Sequence, residues 1–501
     1  MTLLLKNARV LTMDPADTEH PRADILIEGS RIAAVGPDLA VARAADLGIV
    51  DAAGWLAMPG LVNGHLHSSS VLSKGAYEGA PLDIAMLFMD AVTASEFATE
   101  RFCYLRTLLA AIDMLKQGVT AVRDDPWCMP TPTAAAVAGI MRAYGEVGMR
   151  AEVTLGLGTL REHDTLPFGA NELPAAIRAE LDRSPIPTID ALLGLYRDTV
   201  DRWHGSAEGR VKVAVTCSAP QRVTAEHMVA LHDFARRHGL SFEAHVLETK
   251  TQRVAGRMRH GKSLLQVMGS LGVLDDRTVV IHAVWTDATD WQLLAERGCT
   301  VAHNPISNLR LGSGVMRFAE MAALGIPICL GTDQHDVDES DDLWVVARTA
   351  ALLAKIAQPD DRRWPPASAF LRALTNGGAR AMGLAERTGT LAPGREADII
   401  LVDLGRLPYL PLRDLRRQLL YGEVGGSLRM TIVGGRVVVQ DGRILTIDEP
   451  AVREEILGHW PRYLAAYEKA TAEAGRLLPI YRGLYGRLVA EDVGFTRWLG
   501  A

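Results

Sequence analysis

The stretch Met58-Pro59-Gly60-Leu61-Val62-Asn63-Gly64-His65-Leu66-His67 reads as a short apolar strand ending in two histidines one residue apart. Side chains at i and i+2 of a strand point to the same side, so both imidazoles can reach one metal ion. With 14 histidines in 501 residues, about 0.4 such pairs arise by chance, so the pair takes its meaning from context. Three later positions supply it: His245 in FEAHVLETK, His282 in TVVIHAVWT and Asp333 in ICLGTDQH, each at or just past the C-terminal end of a short apolar run. That is where a (β/α)8 barrel collects its catalytic residues.

Working outward, eight such runs occupy the middle of the chain. They are LAMPGLVNG (56–64), TAVRDD (120–125), RAEVTLGLG (150–158), VKVAVTCSA (211–219), LSFEAHV (240–246), TVVIHAV (278–284), CTVAHN (299–304) and IPICLGTD (326–333). Segments of helical pattern such as SEFATERFCYLRTLLAAIDMLKQG and TAEHMVALHDFARRHG separate them. Parallel strands need helical crossovers, so the alternation describes an α/β fold, a TIM-like (β/α)8 barrel. Before it lie LLLKNARVLTM, ADILIEGSRIAAVG and GIVDAAGWLAMPG, and after it READIILVDL and RMTIVGGRVVVQDGRIL, all short strands with turn chemistry at Gly29-Ser30, Gly36-Pro37, Gly434-Gly435 and Asp441-Gly442. The expected organisation is a composite β-sandwich from 1–57 plus 385–448, a barrel over 58–384, and a C-terminal helical extension over 449–501. In that extension EEILGHWPRYLAAYEKATAEAGRLL carries helix formers at amphipathic spacing, as one or two helices packed on the barrel or on a partner subunit.

Composition narrows the function. Lys and Arg number 53 against 60 Asp and Glu, a net charge of −7, and no basic run forms a stripe for phosphates, so nucleic acid is not an expected partner. The cysteines Cys103, Cys128, Cys217, Cys299 and Cys329 show no CxxC pairing and read as reduced, mostly buried thiols, which points to the cytoplasm. The N-terminal apolar run meets a charge at Lys6 and no long uncharged apolar run follows, so neither export nor a membrane span is expected.

On the barrel the two histidines of strand one, His245 of strand five, His282 of strand six and Asp333 of strand eight share one rim, and Glu248 lies three residues past His245 over the same pocket. Imidazole with carboxylate is a normal zinc ligand set and also suits iron(II) or manganese. A lone histidine such as His282 or His303 is more often a satisfied core residue than a ligand. Five polar groups on one rim are different, because desolvating them without a metal or substrate is costly.

These motifs, with HVLETK, VVIHAVW, VAHNPISNLRLGSG, LGTD and the closing GTLAPGREADIILVD, resemble the amidohydrolase superfamily over about residues 1–448. The resemblance is to its single-metal branch, which contains cytosine deaminase, guanine deaminase, methylthioadenosine/S-adenosylhomocysteine deaminase and the triazine hydrolases. It implies one divalent ion per chain, zinc first and iron or manganese as alternatives, bound by His65, His67, His245 and Asp333. It also implies proton work by Glu248, His282 and Asp333, and a homo-oligomer, dimer or tetramer. The chemistry agrees: a bound ion makes hydroxide available near neutral pH, Asp333 accepts the water proton, His282 stabilises the tetrahedral centre, and Glu248 protonates a ring nitrogen. The small-molecule substrate is then a nitrogen heterocycle of purine, pyrimidine, pterin or triazine type, and the reaction hydrolytic deamination. Dehalogenation or amide-like C–N cleavage of a related ring is the alternative, and a non-catalytic scaffold is disfavoured because no ligand is missing.

Lys212 stands near the start of strand four rather than its end, so no lysine is placed to bridge two metals, and the HxE and PCxxC pattern of the zinc nucleotide deaminases is absent. Three departures bear on substrate. Ser218 stands where nucleoside-type relatives carry a histidine after strand four, Met86 where relatives often have tryptophan, and Gln334 where the residue after the strand-eight aspartate is usually glycine. The following loop QHDVDESDDLW is acidic; its simplest reading is a solvated rim whose last carboxylates cap a helix beginning near Ser340, against recognition of a cationic substrate by Asp336, Asp338 or Asp341. Glu78, Ser218, His303, Gln334 and Asp336 are the substrate-binding candidates, while Asn304, Pro305 and Asn308 are expected to shape a turn.

Overall fold

The computed structural model describes residues 2–39, 47–76, 79–89, 92, 95–127, 132–156, 158–183, 186–423 and 425–499. The chain opens with five short strands, β1 (Thr2–Leu11), β2 (Glu19–Glu28), β3 (Arg31–Gly36), β4 (Leu47–Asp51) and β5 (Trp55–Pro59). The apolar run 56–64, expected as one strand, is divided at Gly60 between β5 and β6 (Leu61–His67). Any side chain at Gly60 would place its Cβ 2.2 Å from the Thr120 side chain, so only glycine lets the backbone pass from the outer sheet into the barrel here.

β6 is the first barrel strand. After it come β7 (Val119–Asp124), β8 (Arg150–Val153), β9 (Val211–Val213), β10 (Val215–Thr216), β11 (Phe242–Val246), β12 (Thr278–His282), β13 (Thr300–His303), β14 (Ile328–Leu330) and β15 (Asp333–Gln334). They form two five-stranded parallel ladders, β15-β6-β7-β8-β9 and β10-β11-β12-β13-β14. β9 with β10, and β14 with β15, are single strands interrupted by one or two residues, so the two ladders close into a barrel of eight strands at the eight expected places. The crossover helices start where threonine or serine hydroxyls accept a backbone N–H, at Thr99, Thr133, Thr188, Thr224 and Ser263. Several end on left-handed glycines, among them Gly148 and Gly298.

β16 (Ile399–Asp403), β17 (Leu428–Val433), β18 (Arg436–Gln440) and β19 (Arg443–Ile444) return to the N-terminal strands. The small sandwich expected from both chain ends is built as one continuous nine-stranded sheet, ordered β19-β18-β17-β16-β5-β1-β2-β3 with β4 on β1. Gly434 and Gly435 make the β17–β18 turn, both at positive φ (+54° and +76°), as a two-residue hairpin with the strand twist requires. Arg150 of β8 ties barrel to sheet, its buried guanidinium 2.7 Å from Asp398 and 3.0 Å from Glu396.

The C-terminal extension forms two helices, Glu449–Ala474 and Leu478–Ala490. The first lies on this chain's own barrel helix Glu100–Lys116, where Phe102 and Tyr463 stack with ring centroids 5.9 Å apart. The second reaches the rim, against Leu82–Ala85 and Lys250–His260. No described helix is long and apolar enough to cross a membrane.

Candidate metal-dependent active site

Strand ends set the site. β6 carries a register shift of one residue against β7 between Asn63 and Leu66, just where His65 stands. The barrel closes tightly behind it, since a Cβ on Gly331 would meet the His65 backbone at 2.8 Å. Ser218, Leu247, His282 and Asp333, all at or just beyond the C-terminal ends of barrel strands, hold left-handed φ values of +61°, +54°, +72° and +68°. Non-glycine residues pay for that conformation, and it gathers here, where side chains must be turned toward the barrel axis.

His67 Nδ1 lies 2.6 Å from the Asp125 carbonyl oxygen and His245 Nδ1 2.8 Å from that of Ser218. A carbonyl only accepts, so both Nδ1 atoms carry the proton and both Nε2 atoms present lone pairs. Those two Nε2 atoms face each other at 3.3 Å. His65 Nε2 is 3.2 Å from His245 Nε2, and Asp333 Oδ1 is 3.4 Å from the Nε2 of both His65 and His67. Burial, followed by the neighbouring histidines, holds His65 and His245 well below the usual imidazole range, so protonation does not relieve the confrontation. Lone pairs and a carboxylate oxygen converging in a buried pocket are what a divalent cation needs, and the set His65, His67, His245 with Asp333 alongside fits one.

His282 Nε2 is 3.3 Å from Glu248 Oε2 and 3.7 Å from Asp333 Oδ2. On its other side the amide nitrogens of Asn308 and Asn304 approach Nδ1 at 3.0 and 3.3 Å. With those amides donating, Nδ1 accepts and Nε2 carries the proton into the cleft. Burial keeps His282 neutral, pushing it well below its ordinary value. Glu248 moves the other way: burial first, then Asp333 and Asp83, raises it well above the usual carboxylate range. Ser307 Oγ donates to Asp333 Oδ2 at 2.7 Å. Gln252 braces strand five, accepting from the Glu248 N–H at 2.6 Å and donating to the His245 carbonyl at 3.2 Å.

These groups open into a cleft lined by His67, His245, Glu248, His282, Asp333 and Gln334, with Met86, Trp127 and Arg222 also in its wall. The guanidinium of Arg222 lies 5.3 Å over the Trp127 ring. Of the substrate-binding candidates, Gln334 lines this cleft. Ser218 is buried beneath it, its carbonyl on His245 and its hydroxyl without a partner among the described residues. His303 is not brought to the site: its neighbour Ala302 packs inside the barrel with Cys329, so alternation turns His303 outward against Phe318. Asp336 is buried and absent from the cleft wall, and Glu78 lies outside the described residues. Lys212 belongs to β9 and borders a different crevice with Glu152 and Arg277.

Two expectations are corrected. The acidic loop is not a solvated rim, since Asp336 and Asp341 are 1% and 0% exposed. Asp341 Oδ2 lies 3.0 Å from His335 Nε2, and Ser70 Oγ links the His335 backbone N–H to the His67 carbonyl. Capping falls to Asp342, which accepts from the N–H groups of Trp344 and Val345, so the helix starts at Leu343. Asn304 and Asn308 also do more than shape a turn, since both amides orient His282. Neither His335 nor Gln252 stands out in the sequence: His335 is anchored by Ser70, 265 residues away, and Gln252, though only four and seven residues from its partners, bonds to backbone groups that no residue pattern marks.

The match to the amidohydrolase family model spans residues 56–438. A curated relative from Methanosarcina mazei, a 5'-deoxyadenosine deaminase, is 31% identical over 90% of this chain and 96% of its own length. One from Desulforudis audaxviator, a 5-methylthioadenosine/S-adenosylhomocysteine deaminase, is 30% identical over 90% and 96%. The fold matches the zinc-bound crystal structure of an adenosine deaminase from Xanthomonas campestris with a TM-score of 0.80, at 24% identity over 92% of this chain and 98% of that one. It matches atrazine chlorohydrolase from Arthrobacter aurescens complexed with zinc at 0.81, with 23% identity over 92% and 100%. The chain belongs to the amidohydrolase family.

Proposed function

We propose that this protein hydrolytically deaminates a nitrogen heterocycle, an adenosine-type nucleoside before any other, with one divalent ion, zinc first, held by His65, His67, His245 and Asp333. The observation that carries this is the confrontation of imidazole lone pairs beside Glu248, a carboxyl that burial raises well above the usual carboxylate range. The names of the curated relatives support the substrate class.

Such an ion, when bound, supplies an acidified water as nucleophile near neutral pH. Asp333, steadied by Ser307, takes the proton released as water attacks the ring carbon. Glu248 protonates the adjacent ring nitrogen, and the neutral N–H of His282 stabilises oxygen charge on the tetrahedral carbon. Proton return to the amino group releases ammonia and leaves a carbonyl beside the protonated ring nitrogen, so N=C–NH2 and water become HN–C=O and NH3. Gln334 contacts the substrate, and Ser218 acts through its carbonyl by fixing the His245 tautomer. His303 and Asp336 have no part in this reading.

Ser218 favours a second reading. A small hydroxyl stands where nucleoside-type relatives carry histidine, which suits a ring lacking ribose, and the same acid and nucleophile displace halide from a triazine. The division into 1–57 plus 385–448, 58–384 and 449–501, a cytoplasmic setting suggested by the free buried thiols of Cys103, Cys217, Cys299 and Cys329, and assembly as a dimer or tetramer complete the proposal. The test is a panel of 5'-deoxyadenosine, 5-methylthioadenosine, cytosine, guanine and chlorinated triazines given to zinc-loaded protein, with ammonia and chloride both measured. Ammonia from a nucleoside is expected; chloride alone moves the reaction to dehalogenation, and neither product rejects both.

A further inference from the structure

The match to the family model ends at residue 438, yet residues 495–498, far beyond it, return to the rim that holds the site. There they meet three loops at once, and each loop carries groups of the site. In the loop after β11, two residues past Glu248, Lys250 stands 5.3 Å over the Trp498 ring. In the loop after β12, Arg497 donates from Nε to the Val284 carbonyl at 3.1 Å and from Nη2 to the Thr286 carbonyl, two and four residues past His282. Beyond Ser307 and Asn308, Trp498 Nε1 donates to the Gly312 carbonyl at 2.7 Å, and the Arg497 carbonyl accepts from the Val315 N–H at 2.9 Å. The backbones touch there: a Cβ on Gly314, whose φ is +117°, would lie 2.9 Å from the Arg497 carbonyl oxygen.

Arg497 is only 8% exposed, its guanidinium bonds to backbone carbonyls, and its Cζ lies 4.4 Å from the centre of the Phe495 ring. A planar fork holds two carbonyls of one loop at once, which a single ammonium does not do with the same geometry. The loop it holds needs such support: His282 and Ala283 are both left-handed, at φ +72° and +50°, and non-glycine residues keep that conformation only where their surroundings enforce it. The neighbouring loop is tied to the same point. Trp285 Nε1 donates to the Ser313 carbonyl at 2.7 Å, and the Ser313 N–H donates to the Asn308 carbonyl at 2.8 Å. Arg497 therefore joins the backbone that carries His282 to the backbone that carries Asn308, whose amide reaches His282 Nδ1 at 3.0 Å.

We infer that Arg497 is a positioning residue: residues 495–498 clasp the loops after β12 and β13, so that Asn308 stays on Nδ1 of His282 and the Nε2–H stays aimed into the cleft. The inference rests on the reading of His282 as the group that stabilises oxygen charge on the tetrahedral carbon. Misplacing such a donor by about 1 Å costs up to about 10²-fold in rate. His65, His67, His245 and Asp333 stand on β6, β11 and β15, none of which Arg497 holds, so metal content should not follow the rate.

The experiment compares full-length zinc-loaded wild type with Arg497→Met and Arg497→Lys. Nuclear magnetic resonance of protein carrying nitrogen-labelled histidine reports the His282 ring, its signals identified by their loss in His282→Gln. Wild type should show the Nε2–H tautomer, and Arg497→Met a mixed or broadened one. Ammonia release from 5'-deoxyadenosine should show kcat lower by roughly 10–100-fold in Arg497→Met, with KM and zinc content within about twofold of wild type. Arg497→Lys, which keeps the charge but loses the fork, should fall between. Circular dichroism melts establish folding, and if Arg497→Met does not fold, Arg497→Lys is judged by the same readings. An unchanged His282 signal overturns the inference whatever the rate. So does a loss of zinc or a rise in KM that matches the fall in kcat, since a tail that merely holds the barrel together would loosen every ligand. The His282 change without ammonia release from wild type leaves the clasp standing and counts against the deaminase reading instead.

Discussion

The two ends of this barrel both bury polar groups and treat them oppositely. At the N-terminal end Arg123 binds Glu152, reaches Glu243 at 2.7 Å and Ser241 Oγ at 3.0 Å, and donates to the Ala381 carbonyl at 2.6 Å, while Ser241 returns a hydrogen bond to Glu152 at 2.9 Å. Charge meets countercharge and donor meets acceptor. At the C-terminal end His65, His67 and His245 turn like groups on one another, with Asp333 adding a further acceptor. The first arrangement is nearly complete within the chain, one guanidinium serving two carboxylates with Glu243 Oε1 left without a partner among the described residues, and the second becomes complete only with something added. Strand position is therefore a guide to role: polarity at one end holds the barrel, and polarity at the other does chemistry.

The sharpest way to break this contrast is His67→Ala. One ligand is lost, so metal content should fall from near one ion per chain to a small fraction and activity should vanish with it. Elemental analysis showing full occupancy in an active variant removes His67 from the site. Glu248→Gln divides the rim further: the ion should stay near wild-type occupancy while turnover falls by roughly 10²–10⁴, because an amide cannot donate and re-accept the proton. Unchanged kcat on the true substrate would show that the acid lies elsewhere.

At the other end Arg123→Met leaves Glu152 and Glu243 buried without their cation. The expected cost is about 3–5 kcal/mol of folding stability, with KM and metal content of the folded fraction unchanged. A Tm close to wild type, or a selective loss of metal, would erase the distinction between the two ends. The smallest effect concerns His303, whose burial lowers it to about 3 in the folded protein, against 6.5 for an ordinary imidazole. Between those values the unfolded chain binds the proton and the folded chain does not, so stability falls as pH drops below about 6.5, by at most about 1.4 kcal/mol per pH unit from this residue. His303→Leu should flatten that part of the Tm-against-pH curve by about one such increment and leave kcat unchanged. An identical pH slope in the variant means that His303 takes up its proton without unfolding.

Much of this was present in local pattern. Apolar runs separated by amphipathic segments specify strands and crossovers through the different periods of strand and helix, and eight of them leave few closures other than a barrel. His65 and His67 were readable as a pair because i and i+2 share a face, and Asp333, His245 and His282 because each ends an apolar run. Tertiary structure decided what depends on distance between segments far apart in sequence. It set the Nδ1 protons of His67 and His245 through the carbonyls of Asp125 and Ser218, turned Asn304 and Asn308 onto His282, and anchored the buried acidic loop through Ser70 on the His335 N–H. Hydropathy reads a run of aspartates as solvated, but Asp341 is buried against His335 of its own loop, whose backbone N–H is held by Ser70 from another segment, and no local rule names that anchor. His303, identical in type to the site histidines and likewise at a strand end, faces the helices because alternation along β13 places Ala302 inside.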